Sequence, residues 1–133
     1  MATITRSDSA QALEIEDVTA SKTIDRNDLP RLYTNAGAGG AVTITLPPDP
    51  KGGEVVEVVT TVAASIVITA GPTGSPQIFA SNGSAYTLQA VAATISNASA
   101  LGESIKLVAV SPTRWVALKQ TTGLEAPGFD AVA

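Results

Sequence analysis

Six carboxylates are the first candidates for chemistry in this chain: Glu14, Glu16, Asp17, Asp25, Asp28 and Glu103. Two carboxyl groups facing one glycosidic bond can cleave it, one as acid and the other as nucleophile or base. Acids in turns and on strand edges are ordinarily just solvated, and that simpler reading suits all six. The residue types that run most other reactions are missing. The chain has no His and no Cys, so neither a Ser-His-Asp triad nor a Cys-His pair can form. The usual transition-metal ligands are missing with them. Asp25, Asn27 and Asp28 offer oxygens to calcium but lack the full loop pattern and its terminal bidentate Glu. A turn rich in Asn and Asp accounts for them more simply. Gly37-Ala38-Gly39-Gly40 has the glycines of a phosphate-binding loop, yet such a loop must open a helix. Trp115, the single tryptophan, stands beside Arg114; one aromatic by itself is a poor stacking platform, and packing in a core or an interface suits its size better. The sequence therefore predicts no catalytic residue, no metal site and no cofactor.

The elements that would hold these residues read as strands. Val42, Ile44 and Leu46 alternate with Thr43 and Thr45, the pattern of a half-buried strand, and Pro47-Pro48-Asp49-Pro50 ends it. Leu13 and Ile15 alternate with acids, as an edge strand does. Arg31–Asn35 forms another short strand, and Pro30 before it blocks a helix. Val55, Val56, Val58, Val59 and Val62 place apolar groups on both faces of one segment, which predicts cover on both sides, from a second sheet or a neighbouring subunit. Ile66–Ile68 and Gln77–Ala80 continue the series. Tyr86–Ile95 carries both helical and strand spacing; its β-branched residues and the Asn82-Gly83 turn favour strand. Ile105, Leu107 and Ala109, then Ser111-Pro112-Thr113, then Arg114–Lys119 make a closing hairpin. Strands this short, separated by Gly and Pro turns, predict an all-β body: a compact sandwich or barrel-like, jelly-roll-like domain of antiparallel strands.

That body spans residues 13–123, with an N-terminal arm at 1–12 and a C-terminal tail at 124–133, both polar or aperiodic. At 133 residues and 44% apolar composition, one domain can bury a core unaided. The net charge of −4 has no basic cluster within it, which argues against nucleic acid. The N-terminus lacks an apolar signal segment and no stretch approaches a membrane span, so synthesis in the cytoplasm is expected.

Two segments carry a resemblance. Thr34-Asn35-Ala36-Gly37 through Gly40, Val42 and Leu46-Pro47 matches a T-N-x-G-x-x-G-x-V-x-x-x-L-P stretch. Gly102-Glu103-Ser104-Ile105-Lys106-Leu107 followed by Thr113-Arg114-Trp115-Val116-Ala117 matches a G-[DE]-S-[IV]-x-L strand and its returning Trp strand. In order and spacing the chain resembles β-rich phage virion surface proteins: capsid decoration (cement) proteins and head-fibre or tail-fibre modules. The resemblance covers roughly residues 20–123. It implies a bacteriophage structural protein located in the virion, on the capsid surface, whose motif glycines and Trp are architectural. The implied partners are the major capsid protein and further copies in a homotrimer, with neither nucleic acid nor membrane. The short chain, without a stalk, favours a decoration protein over a fibre subunit. Ile4, Leu13, Ile15, Val55, Val58, Val62 and Trp115 are the candidate oligomer or capsid contacts. A carbohydrate-binding module is the alternative of another class, and it requires Trp115, Tyr33 and Tyr86 on one exposed face.

Overall fold

The computed structural model describes residues 14–71, 76–81, 86–89, 94–96, 101–120 and 130–132. They form strands β1 (Glu14–Asp17), β2 (Lys22–Thr23), β3 (Arg31–Thr34), β4 (Val42–Thr45), β5 (Val55–Val59) and β6 (Ile66–Thr69). These are followed by β7 (Gln77–Ser81), β8 (Tyr86–Leu88), β9 (Thr94–Ser96), β10 (Ser104–Ser111), β11 (Arg114–Gln120) and β12 (Asp130–Val132). The one helical element among the described residues is a 3₁₀ turn at Arg26–Asp28, capped by Asp25, whose Oδ1 accepts from Asn27 N at 3.0 Å. The expected all-β class is the observed one.

The strands lie in two sheets, ordered β1-β3-β5-β10-β11-β7-β8 and β12-β9-β6-β4-β2. From β1 to β7 the chain changes sheet at every step. As far as β6 each strand therefore meets its predecessor but one, and the pairs β1–β3, β3–β5, β2–β4 and β4–β6 run parallel. This corrects the expectation of antiparallel strands. A hairpin reverses the chain beside its predecessor, whereas a winding chain returns in the same direction. Antiparallel pairing begins with β7–β8 and β6–β9, and β10 then enters between β5 and β11, antiparallel to both. The β10–β11 hairpin separates β7 from β5, and β7 joins β11 in parallel. The sheets do not close into a barrel among the described residues.

One core lies between the sheets. Val56, Val58, Ile105, Leu107 and Trp115 from the larger sheet meet Val42, Ile44, Ile66, Ile68 and Ile95 from the smaller, all buried. The period-two pattern does this work, because inward residues alternate with half-buried ones along β4, β5, β6 and β10. Each large apolar side chain withdrawn from water in this way contributes about 1.5–3 kcal/mol before the entropy of ordering is counted. The ambiguous Tyr86–Ile95 stretch holds two strands, β8 and β9. Asp130–Val132, expected as part of a tail, pairs with β9 and extends the smaller sheet. The N-terminal arm, residues 1–12, lies outside the described residues.

Candidate functional site

The two motif segments converge on the turn that follows β5. Asn35 is fully buried, and its side chain staples that turn. Its Oδ1 accepts from Thr61 N (2.8 Å) and Val62 N (3.1 Å), while its Nδ2 donates to Ala64 O (3.0 Å) and Val62 O (3.3 Å). Thr34 Oγ1 donates to Asp17 Oδ1 at 2.6 Å and accepts from Ala36 N at 3.1 Å. Gly37 follows at φ +80°, where a Cβ would crowd the backbone. The second motif binds the same turn. Gly102 N donates to Thr60 O (2.8 Å), Thr60 N to Glu103 O (2.9 Å) and Glu103 N to Thr60 Oγ1 (3.0 Å). Both motifs thus supply backbone geometry, and the glycine loop leads into a strand with no helix after it.

The first turns of the winding end in an ionic cluster. Glu16 sits between Lys22 and Arg31, bonding Arg31 Nη1 at 2.7 Å; Arg31 Nη2 also reaches Glu14 at 2.9 Å and Asp28 at 3.8 Å. Lys22, which hydrogen-bonds Glu16, is the main cause holding the Glu16 carboxyl below the ordinary carboxylate range, with Arg31 adding to it. The acid of a glycosidase needs the opposite shift, so Glu16 does not fit that role, and its oxygens are taken up by Lys22 and Arg31. Lys22 Nζ also lies 5.7 Å from the centre of the buried Tyr33 ring. The Tyr33 hydroxyl has no hydrogen-bond partner among the described residues, and burial pushes its pKa up to about 12. The cluster closes the end of the core with charges that face other charges, a common protection for an exposed edge.

The outer faces of the two sheets differ in character. Thr43, Thr45, Val67, Thr69, Thr94 and Ser96 form the outer face of the smaller sheet, half-buried and mostly hydroxylated. On the larger sheet one row runs across five strands in register: Val55, Val108, Val116, Phe79 and Leu88. Each is half-buried. Val110 at 55% exposure and Leu118 at 60% extend the row along β10 and β11. A second row, Ile15, Leu32, Glu57 and Lys106, lies beside it, with Lys106 Nζ 3.6 Å from Glu57.

The sequence-derived contact residues divide across this arrangement. Val55 heads the apolar row, and Ile15, 66% exposed, lies at the sheet edge. Val62 sits past β5, half-buried, with its backbone held by Asn35. Val58 and Trp115 are fully buried in the protomer's own core, so neither is available to an outside partner. Ile4 and Leu13 lie outside the described residues. Trp115 and Tyr33 are both buried, so the aromatic face that a carbohydrate-binding module requires is not formed by them. The row Val108–Val116–Phe79–Leu88 escaped the sequence reading because its members come from four strands. Each is one outward residue in an alternating pattern, and register alone brings them together.

The chain matches no protein-family model and no curated protein sequence. Among the described residues, no helix is long and apolar enough to cross a membrane.

Proposed function

We propose that the chain is a structural virion protein, a capsid decoration (cement) protein that sits on the outer capsid surface as a trimer and stabilises the lattice. One observation carries this reading: the larger sheet presents an apolar outer face while the smaller presents a hydroxylated one. A soluble protein rarely leaves such a continuous apolar row without a protein partner. The two motifs behind the resemblance support the same reading, since both serve the scaffold. In this proposal residues 1–12 grip neighbouring capsid proteins, and repetition over the lattice turns modest contacts into firm attachment.

The test is quantitative mass spectrometry of purified particles of the phage that encodes the chain. A copy number tracking the major capsid protein is the expected result. A few copies per particle would move the protein to a tail or a single vertex, and its absence from the particle would overturn the proposal.

A further inference from the structure

We infer that the free edge of β2 is a docking site for residues 3–5 of the same chain, which add one more parallel strand to the smaller sheet. The inference stands apart from the virion assignment and concerns the chain before residues 1–12 have a capsid neighbour to grip.

The edge is open by the geometry of parallel pairing. β2 ends the order of the smaller sheet, with β4 on its inner side. Consecutive residues of a parallel strand aim their N–H and C=O at opposite neighbours. Ile24 N donates to Thr45 O at 2.8 Å, so Thr23 aims its N–H and C=O the other way, where no described strand lies. Its side chain is exposed as well. An edge left in this state recruits a strand from some source.

Sequence and chain length together name the source. Ala2-Thr3-Ile4-Thr5 repeats Val42-Thr43-Ile44-Thr45, the sequence of β4, at three of its four positions. The middle residue of that pattern faces the core, and Lys22, Ile44, Ile68 and Ile95 form one inward row in register. Ile4 set opposite Lys22 extends the row and covers the aliphatic stem whose head bonds Glu16. Thr5 then falls opposite Thr23 and extends the outward row Thr23, Thr45, Thr69 and Thr94; threonines paired across strands favour each other. The spacing agrees. The winding returns from the smaller sheet to the larger through residues 24–30 and again through 46–54, crossings of seven and nine residues. Residues 6–13 between Thr5 and β1 number eight. A crossing of that length is the one the chain uses in its own winding, so the occupant is its own segment and not one lent by a second copy.

The test is a disulfide trap in the full chain. The protein has no Cys, so Thr5→Cys with Thr23→Cys introduces its only two thiols. Residues directly opposite on neighbouring strands fall within the Cα separation of about 4.4–6.8 Å that a disulfide spans. Mild oxidation of dilute protein, read by non-reducing electrophoresis and peptide mass spectrometry, is expected to give a bond within one chain as the main product. Adding Ile4→Asn, which takes the inward side chain out of the row, should lose most of that product, and adding Ile4→Val should keep it. A yield that Ile4→Asn leaves unchanged would show a segment merely diffusing past the edge and would overturn the inference. So would failure of the bond to form, or a bond found only between two chains. Any of these results leaves the copy number on particles, and with it the virion assignment, to be decided separately.

Discussion

Replacing Asn35 with Ala removes one side chain and releases a whole turn. Four hydrogen bonds to backbone groups of Thr61, Val62 and Ala64 are lost together. Each is worth about 0.5–1.5 kcal/mol net when made, and more is lost where the orphaned group stays away from water. Thr61 is exposed while Val62 and Ala64 are half-buried, so water recovers part of the loss. A cost of about 3 kcal/mol results, which lowers the midpoint of thermal unfolding by about 10 °C in a domain of this size. Asn35→Asp separates the two halves of the side chain: it keeps the acceptor toward Thr61 and Val62 but turns an oxygen toward the carbonyls of Val62 and Ala64. It should be at least as destabilising as Asn35→Ala. Urea unfolding followed by far-ultraviolet circular dichroism measures both, provided the denaturant slope is unchanged. An Ala variant within about 1 kcal/mol of wild type would refute the idea that Asn35 organises the turn. An Asp variant equal to wild type would show that the donor half contributes nothing.

Two further perturbations test the scaffold. Gly37→Ala should cost about 1 kcal/mol, because its φ of +80° is strained for an L residue while the added Cβ would meet Thr19 Cγ2 only at an ordinary 3.5 Å. Gly39→Ala, with nothing within 4 Å of its Cβ, should be neutral or slightly stabilising; the reverse order of urea midpoints would contradict the role given to Gly37. Tyr33, its pKa raised from 10.0 to about 12 by burial, binds its proton more tightly folded than unfolded. Stability from this group is therefore complete below about pH 10 and is lost as pH rises through the window from 10 to about 12, a total of about 3 kcal/mol. Tyr33→Phe should abolish that alkaline loss and cost little at neutral pH, since the hydroxyl has no partner among the described residues. Identical pH profiles for the two proteins would refute this.

The parts of the fold that were legible in the sequence are those set by neighbours along the chain. Val42-Thr43-Ile44-Thr45 alternates in sequence and in burial, and the Ser111-Pro112-Thr113 turn announces the β10–β11 hairpin. Direction of pairing was not legible, because β3 meets β5 only after an excursion through the other sheet, and nothing local to either strand records that route. Three residues of β12 are too few to show a period, so Asp130–Val132 read as tail. Trp115 showed its size but not its side: fully buried, it fills the core and leaves the outer face to Val116 and Leu118. Asn35 carried the one signal that could have been used, an amide directly before a Gly turn inside an apolar stretch.

The alternation between sheets has a further consequence for how such a chain changes length over evolution. β1 and β2 are the outermost rungs of a ladder in which each is hydrogen-bonded within its sheet to one neighbour, β1 to β3 and β2 to β4. The closing hairpin meets that ladder at β5, far from those rungs. A rung added or removed beyond β1 and β2 would leave the register of β5, β10 and β11 untouched, as in repeat proteins, where each unit answers only to its neighbours. The salt-bridged end formed by Glu14, Glu16, Lys22 and Arg31 is then a portable stopper, one that can be moved outward along a longer ladder without redesigning the rest.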